Sequence, residues 1–286
     1  MTSSPAPDFE SFTYSVEEGV AHLAFSRPEI RNAMTRVFWR EFPAALSAAE
    51  ADASVRTLVI SSTGPHFCAG LDTSIFTEGA DFAQTTPHER LRLMDWLGQT
   101  LDVLQRLERL RFPVIAAIQG GCIGGGVDLA SACDIRIAAA DAFFRIEEIN
   151  VGMMADLGTL QRLPKILPEA VARELAYTGA NLSAERAERL GYVNQIAADG
   201  DAARQAALEM AAHIAAKAPL AITGSKHMIT YARDHTVREA LEHMRAYQAA
   251  IFEPGDVMES YGAKMEKRAP KFADLPTPAP AWAEKA

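Results

Sequence analysis

Between Val114 and Ala132 the chain carries a single charged residue, Asp128, and places five glycines in the seven positions 120–126. Few folds accommodate that pattern. Residues 114–118 are an apolar run of the length of a buried strand, the glycines are a turn, and 127–131 resumes as an apolar helix. Gln119, the glycines and Asp128 break the run too often for a membrane span. Taken alone, Gly124 to Gly126 is a tight turn between strand and helix. The same glycines also let a backbone approach a ligand closely, and at a helix start their N–H groups can face developing negative charge.

Two further acids lie among apolar neighbours: Glu148 in Arg145-Ile146-Glu147-Glu148-Ile149 and Asp156 in Met153-Met154-Ala155-Asp156-Leu157. Read singly, Asp128 is a first-turn acid that complements the helix dipole, and Glu148 and Asp156 are solvated loop charges. A carboxylate in apolar surroundings must be paired, protonated or functional. Together the three suggest a proton-transfer site beside an oxyanion hole.

The rest of the chain excludes other chemistries. Its 286 residues, 49% hydrophobic, suffice for one large domain with a smaller appendage. A net charge of −9 argues against a broad nucleic-acid surface. Cys68, Cys122 and Cys133 are odd in number, lack metal-type spacing and read as packing residues of a reduced compartment. His66 reads as a loop residue, and His227, His235 and His243 are spaced too widely for a helical metal pair, so no metal is predicted. The triple glycine has neither the Lys-Ser/Thr of a P-loop nor the fuller dinucleotide pattern.

Periodicity predicts a hairpin over 12–26, a helix capped by Thr35 to about residue 52 that Pro43 kinks, and a strand over 57–61. It also predicts a long helix over 87–111, a strand over 135–138, and helices over 157–163, 170–178, 184–190, 201–217, 219–234 and 237–252. Residues 270–280 form a proline-rich tail.

The two strand–turn–helix units, at Phe67-Cys68-Ala69-Gly70-Leu71-Asp72 and across residues 113–126, resemble the crotonase (enoyl-CoA hydratase/isomerase) superfamily. The most specific stretch is Gly120-Gly121-Cys122-Ile123-Gly124-Gly125-Gly126-Val127-Asp128-Leu129. With Asp156-Leu157-Gly158-Thr159-Leu160-Gln161-Arg162-Leu163-Pro164 it resembles the branch of Δ3,5-Δ2,4-dienoyl-CoA isomerases. The resemblance implies an α/β spiral of repeated ββα units over 12–200, after a flexible arm at 1–11. A C-terminal helical trimerisation region would follow over 201–272, then a tail at 273–286, with trimers or hexamers as the assembly. It places the thioester carbonyl between the N–H groups of Leu71 and Gly125, and CoA near Ala69, with Lys267 and Arg31 as candidate contacts. CoA is part of the substrate, and no separate cofactor is implied.

In this reading Glu148 abstracts a proton at carbon 2 of a 3,5-dienoyl thioester, a protonated Asp156 delivers one at carbon 6, and Asp128 tunes the site. Met153, Met154, Leu157 and neighbouring negative charge should raise the pKa of Asp156. The alternatives are a 2-enoyl-CoA hydratase, in which Asp128 and Glu148 hold a water, and a non-catalytic binding protein of the same fold. The lack of an Arg-rich leader and of a Ser-Lys-Leu ending predicts a cytoplasmic protein of bacterial type.

Overall fold

The alternation in residues 12–26 becomes an antiparallel hairpin of β1 (Phe12–Glu17) and β2 (Val20–Phe25), with Phe12 opposite Phe25 and Glu17 opposite Val20. The structure is a computed structural model describing residues 8–77 and 85–278; the start of the expected N-terminal arm and the end of the expected tail lie outside the described residues. After the hairpin, the Thr35 hydroxyl accepts from the Phe38 N–H to start α1 (Arg36–Ala51), which stays continuous through Pro43. Next come β3 (Thr57–Ser62), the short α2 (Ser74–Thr77), and α3 (Pro87–Arg109), whose first turn is closed by a reciprocal Thr86–Glu89 capping box.

The glycine-rich region unfolds into β4 (Val114–Ile118), β5 (Gly121–Ile123) and α4 (Gly125–Ala132), followed by β6 (Ile135–Ala139) and β7 (Phe143–Arg145). Then follow α5 (Thr159–Ile166), α6 (Glu169–Thr178), β8 (Leu182–Ser183), α7 (Ala184–Arg189) and β9 (Gln195–Ala197). The C-terminal helices are α8 (Gly200–Ala215), α9 (Pro219–Arg233), α10 (Val237–Ile251) and α11 (Pro254–Glu266).

The strands form a six-stranded sheet in the order β1-β2-β3-β4-β6-β9, parallel beyond the first pair, and a small sheet in the order β5-β7-β8. Helices cover both faces of the large sheet, so β3 and β4 are buried throughout and read as continuous apolar runs rather than alternating ones. On one face α8 sets Ala203, Ala207, Ala211 and Ala215 against Val59, Ile115, Ala117, Ile137 and Ala139, the small methyls allowing close approach. The other face holds the larger core, including Phe12, Phe25, Phe38, Phe42 and Phe67. Phe67 packs on Phe25 with ring centroids 5.5 Å apart, which anchors the segment leading to Leu71 in that core.

Two predicted outlines change. The turn expected over 120–126 contains a strand, β5, because three residues suffice to pair in parallel with β7. The helix α11 extends the C-terminal region beyond the last helix that periodicity resolved.

Lys226 of α9 ties the C-terminal helices to the sheet. Its ammonium donates to the carbonyls of Leu107 (2.7 Å) and Phe112 (3.0 Å) and pairs with Asp134 at 2.8 Å, while Asp134 also accepts from the Val114 N–H at 2.7 Å. The ammonium is buried, so its loss strands three acceptors. Lys226→Met should lower the urea-unfolding free energy by about 3 kcal/mol; a loss below about 0.5 kcal/mol would show that this contact does not hold α9 in place.

Candidate active site

The site begins with a buried amide. Asn32 donates from Nδ2 to the carbonyls of Thr63 (2.9 Å) and His66 (3.0 Å), and its Oδ1 accepts from the Arg27 N–H at 3.0 Å. These bonds fix the loop that delivers residues 66–71. His66 is a pin here, its Nδ1 accepting from the Gly121 N–H at 3.0 Å. From there the segment runs as a ribbon beside β5: Phe67 N–H to Gln119 O, Cys68 N–H to Gly121 O and Ile123 N–H to Cys68 O, at 2.9, 3.2 and 2.9 Å.

Gly70 closes the approach. Its φ is +87°, and a Cβ there would lie 2.8 Å from the Ile123 oxygen and 3.2 Å from the Gly125 nitrogen. Only glycine fits. Leu71 forms a parallel bridge with Met34, through Met34 N–H to Gly70 O (2.8 Å) and Asp72 N–H to Met34 O (3.2 Å). In such a bridge the central residue's own N–H points away from its partner, so the Leu71 amide turns from Met34 to the side where Gly125 lies. A Cβ built on Gly125 would be 3.6 Å from the Leu71 nitrogen. Gly125 opens α4, where the first N–H groups have no acceptor within the helix. The Leu71 and Gly125 amides are therefore neighbours.

The carboxylates gather around the start of α4. Asp128 is fully buried in its first turn; Oδ1 accepts from the Thr159 N–H at 2.6 Å, while Oδ2 has no hydrogen-bond partner among the described residues. Burial pushes its pKa up to about 6, helped by the charge of Asp156 and opposed by Thr159 and the Arg162 guanidinium. Glu148 starts the 3-10 turn Glu148–Val151, and a Cβ on Gly124 would lie 3.1 Å from its Oε1. Its Oε2 is buried and likewise unpartnered. Burial first, then the charges of Asp128 and Asp156, push Glu148 up to about 7.

Asp156 is half-buried, and burial raises its pKa against a backbone hydrogen bond. The surroundings differ in part from those expected. Met154 is 72% exposed and is not part of the apolar interior. Repulsion between the acids adds to burial at Asp128 and Glu148, whereas burial raises Asp156.

The structure thus brings Leu71, Gly125, Asp128, Glu148 and Asp156 together. Ala69 and Arg31 are also neighbours, the Ala69 N–H donating to the Arg31 carbonyl at 3.0 Å, with Arg31 exposed. Lys267 caps α11, and no hydrogen bond or ion pair joins it to the other candidates among the described residues. Sequence reasoning passed over Asn32, Thr159 and Arg162. Asn32 stood next to Arg31 without signalling its burial, and Thr159 acts through a backbone N–H that any residue would supply.

Two neighbouring amide donors with three proton-affine carboxyls can stabilise an enolate-like oxygen while protons move at separate carbons. Similarity to known proteins covers most of the chain. The family profile described as enoyl-CoA hydratase/isomerase matches residues 15–275. The mouse mitochondrial Delta(3,5)-Delta(2,4)-dienoyl-CoA isomerase is 39% identical over 259 residues, covering 89% of this chain and 79% of its own. The peroxisomal protein of the same name from Arabidopsis thaliana is 37% identical, covering 96% and 100%. An enoyl-CoA hydratase structure from Polaromonas superposes with a TM-score of 0.82 at 31% identity, covering 91% of this chain and 99% of that one. The expectation of a cytoplasmic protein is corrected by these relatives, which are named mitochondrial or peroxisomal. Leaders and terminal tripeptides are addresses read by receptors rather than parts of the fold, and the ends of the given sequence do not decide where the protein resides.

The raised pKa of Glu148 has a consequence for stability. Its ordinary value is 4.5 and its folded value about 7, so the folded state binds the proton more tightly. The stability this gives is fully present below pH 4.5 and is lost as pH rises to about 7. Glu148→Gln should remove that loss, on the order of 2 kcal/mol between pH 4 and pH 8 by urea unfolding. An equal pH dependence in both proteins would mean that Glu148 is not a strained buried charge.

Proposed function

The chain belongs to the enoyl-CoA hydratase/isomerase family, and we propose that it converts 3,5-dienoyl-CoA to 2,4-dienoyl-CoA. The observation that carries this reading is the third carboxyl. Asp156 lies within electrostatic reach of both Asp128 and Glu148. Hydration across one double bond needs two groups about one water, whereas moving a diene one carbon along requires proton loss at carbon 2 and gain at carbon 6. Relatives at 37% to 39% identity bear the name of that activity.

In this mechanism the thioester oxygen sits between the Leu71 and Gly125 amides. Ionised Glu148 removes the carbon 2 proton, and the resulting dienolate spreads its charge from that oxygen along the diene. The two amides are in place before the charge appears, so they stabilise the transition state more than the ground state. Asp156 then delivers a proton to carbon 6. Each turnover leaves Glu148 protonated and Asp156 ionised, and exchange with solvent resets them. Asp128, held by Thr159, adds a charge that disfavours ionisation of Glu148, keeping its basicity near neutral pH, where a general base is most effective.

Lys267 would reach a CoA phosphate across a subunit boundary. That placement suits the exposed Val237, Leu241, Phe252, Met258 and Met265 of the C-terminal region, an apolar surface fitting for trimers or hexamers. Hydration remains the second reading, because Asp128 Oδ2 and Glu148 Oε2 are both buried and unpartnered among the described residues, as two groups holding one water would be.

Ultraviolet detection of the conjugated product, with hydration of a 2-enoyl-CoA run alongside, separates the two: strong dienoyl signal with weak hydration supports the isomerase, and the reverse makes the protein a hydratase. Asp156→Asn should lower kcat for isomerisation by about 10³-fold, whereas activity within a few-fold of wild type would remove Asp156 as the acid. Lys267→Ala should raise KM for the CoA ester with kcat little changed; an unaltered KM would leave Lys267 a solvated helix end.

A further inference from the structure

Within electrostatic reach of Asp128 lies a buried cation that the mechanism does not use. Arg162 is 6% exposed and sits one turn along α5 from Thr159. Its Nη1 donates to the Leu157 carbonyl at 3.2 Å, and its Nη2 pairs with Glu108 at 3.1 Å. Glu108 is shared with Arg233, 2.5 Å away at the end of α9, and Arg233 also pairs with Asp234. The guanidinium lies directly under the Gly158 turn, where a Cβ would fall 1.9 Å from Nη1. A side chain at 158 and Arg162 in this position exclude each other.

That turn joins two functional groups. Asp156 precedes it, Thr159 with the N–H that holds Asp128 follows it, and Arg162 bonds the carbonyl between them. We propose that Arg162 is a positioning residue for the acid cluster, fixing Asp156 and the Thr159 amide through the Leu157–Gly158 turn while setting the field at Asp128, with Glu108 moderating its charge. This rests on the isomerase reading for its catalytic consequence, though not for its electrostatic one.

The groups facing Asp128 support it. Asp156 and Glu148 repel its charge, Cys122 is held protonated by burial, and the guanidinium of Arg162 is the cation that favours the ionised form. Arg233 and Arg162 together hold Glu108 below the usual carboxylate range despite its burial, so Glu108 is ionised and takes part of the Arg162 charge. Lysine at 162 would keep the charge but lose the planar fork that reaches Leu157 and Glu108 at once.

The test measures proton affinity and turnover separately. Infrared titration of protonated carboxyls in the substrate-free protein gives the first, and kcat for dienoyl isomerisation gives the second. Arg162→Gln should move the carboxyl titration of Asp128 about one pH unit higher and lower kcat by more than tenfold. Arg162→Lys should restore the titration while kcat stays low. Glu108→Gln, which leaves Arg162 in place, should move the titration lower and serves where Arg162→Gln does not fold. Unmoved titrations in a folded Arg162→Gln, or in Glu108→Gln, would overturn the proposal and leave Arg162 a purely structural residue. If the wild type fails to isomerise, the proposed reaction falls, while the infrared arm still decides the role of Arg162.

Discussion

Everything at the site depends on the parallel pairing of two short extended segments through Cys68 and Cys122. Backbone bonds join them, with His66 Nδ1 pinning the Gly121 N–H beside them, and their register sets where Leu71 and Gly125 end. One residue of slip would carry the Leu71 N–H away from Gly125 and turn it over. Glycine is obligatory at 70 for that reason: the strands meet at a distance that leaves no room for a Cβ. The same pairing starts α4, so a single local constraint delivers both amide donors and points Asp128 into the interior.

The electrostatics follow from that geometry. Placing Asp128, Glu148 and Asp156 in one apolar recess costs stability, because each carboxylate loses water and repels the others. The chain offsets the cost only in part, through the Thr159 N–H and the Arg162 guanidinium, and leaves one oxygen each of Asp128 and Glu148 unpartnered among the described residues. Such incomplete satisfaction is what a proton-transfer site requires. A carboxylate with all its bonds met would be too weak a base to take a proton from carbon.

Much of this was legible in the sequence, for identifiable reasons. Strand β4 coincided with the predicted segment because burial on both faces leaves an uninterrupted apolar run, and α1 began after Thr35 because capping is local chemistry. The three acids stood out because they interrupt apolar stretches. By contrast β5, β7, β8 and β9 have two or three residues each, too few for an alternation to register. Arg162 read as an ordinary helix residue, since the turn it supports and the Glu108 it pairs with are brought to it only by folding. The exposure of Met154 was hidden for the same reason: adjacency in sequence to Asp156 does not decide burial.

The central claim is that separate carboxyls serve carbons 2 and 6. A single turnover of a 3,5-dienoyl-CoA in D2O, with the product's isotope positions read by NMR and mass spectrometry, tests it most directly. Two independent carboxyls predict deuterium at carbon 6, delivered by an Asp156 already exchanged with solvent. Retention at carbon 6 of the hydrogen that left carbon 2 would mean one group carries it across, contradicting the Glu148–Asp156 division.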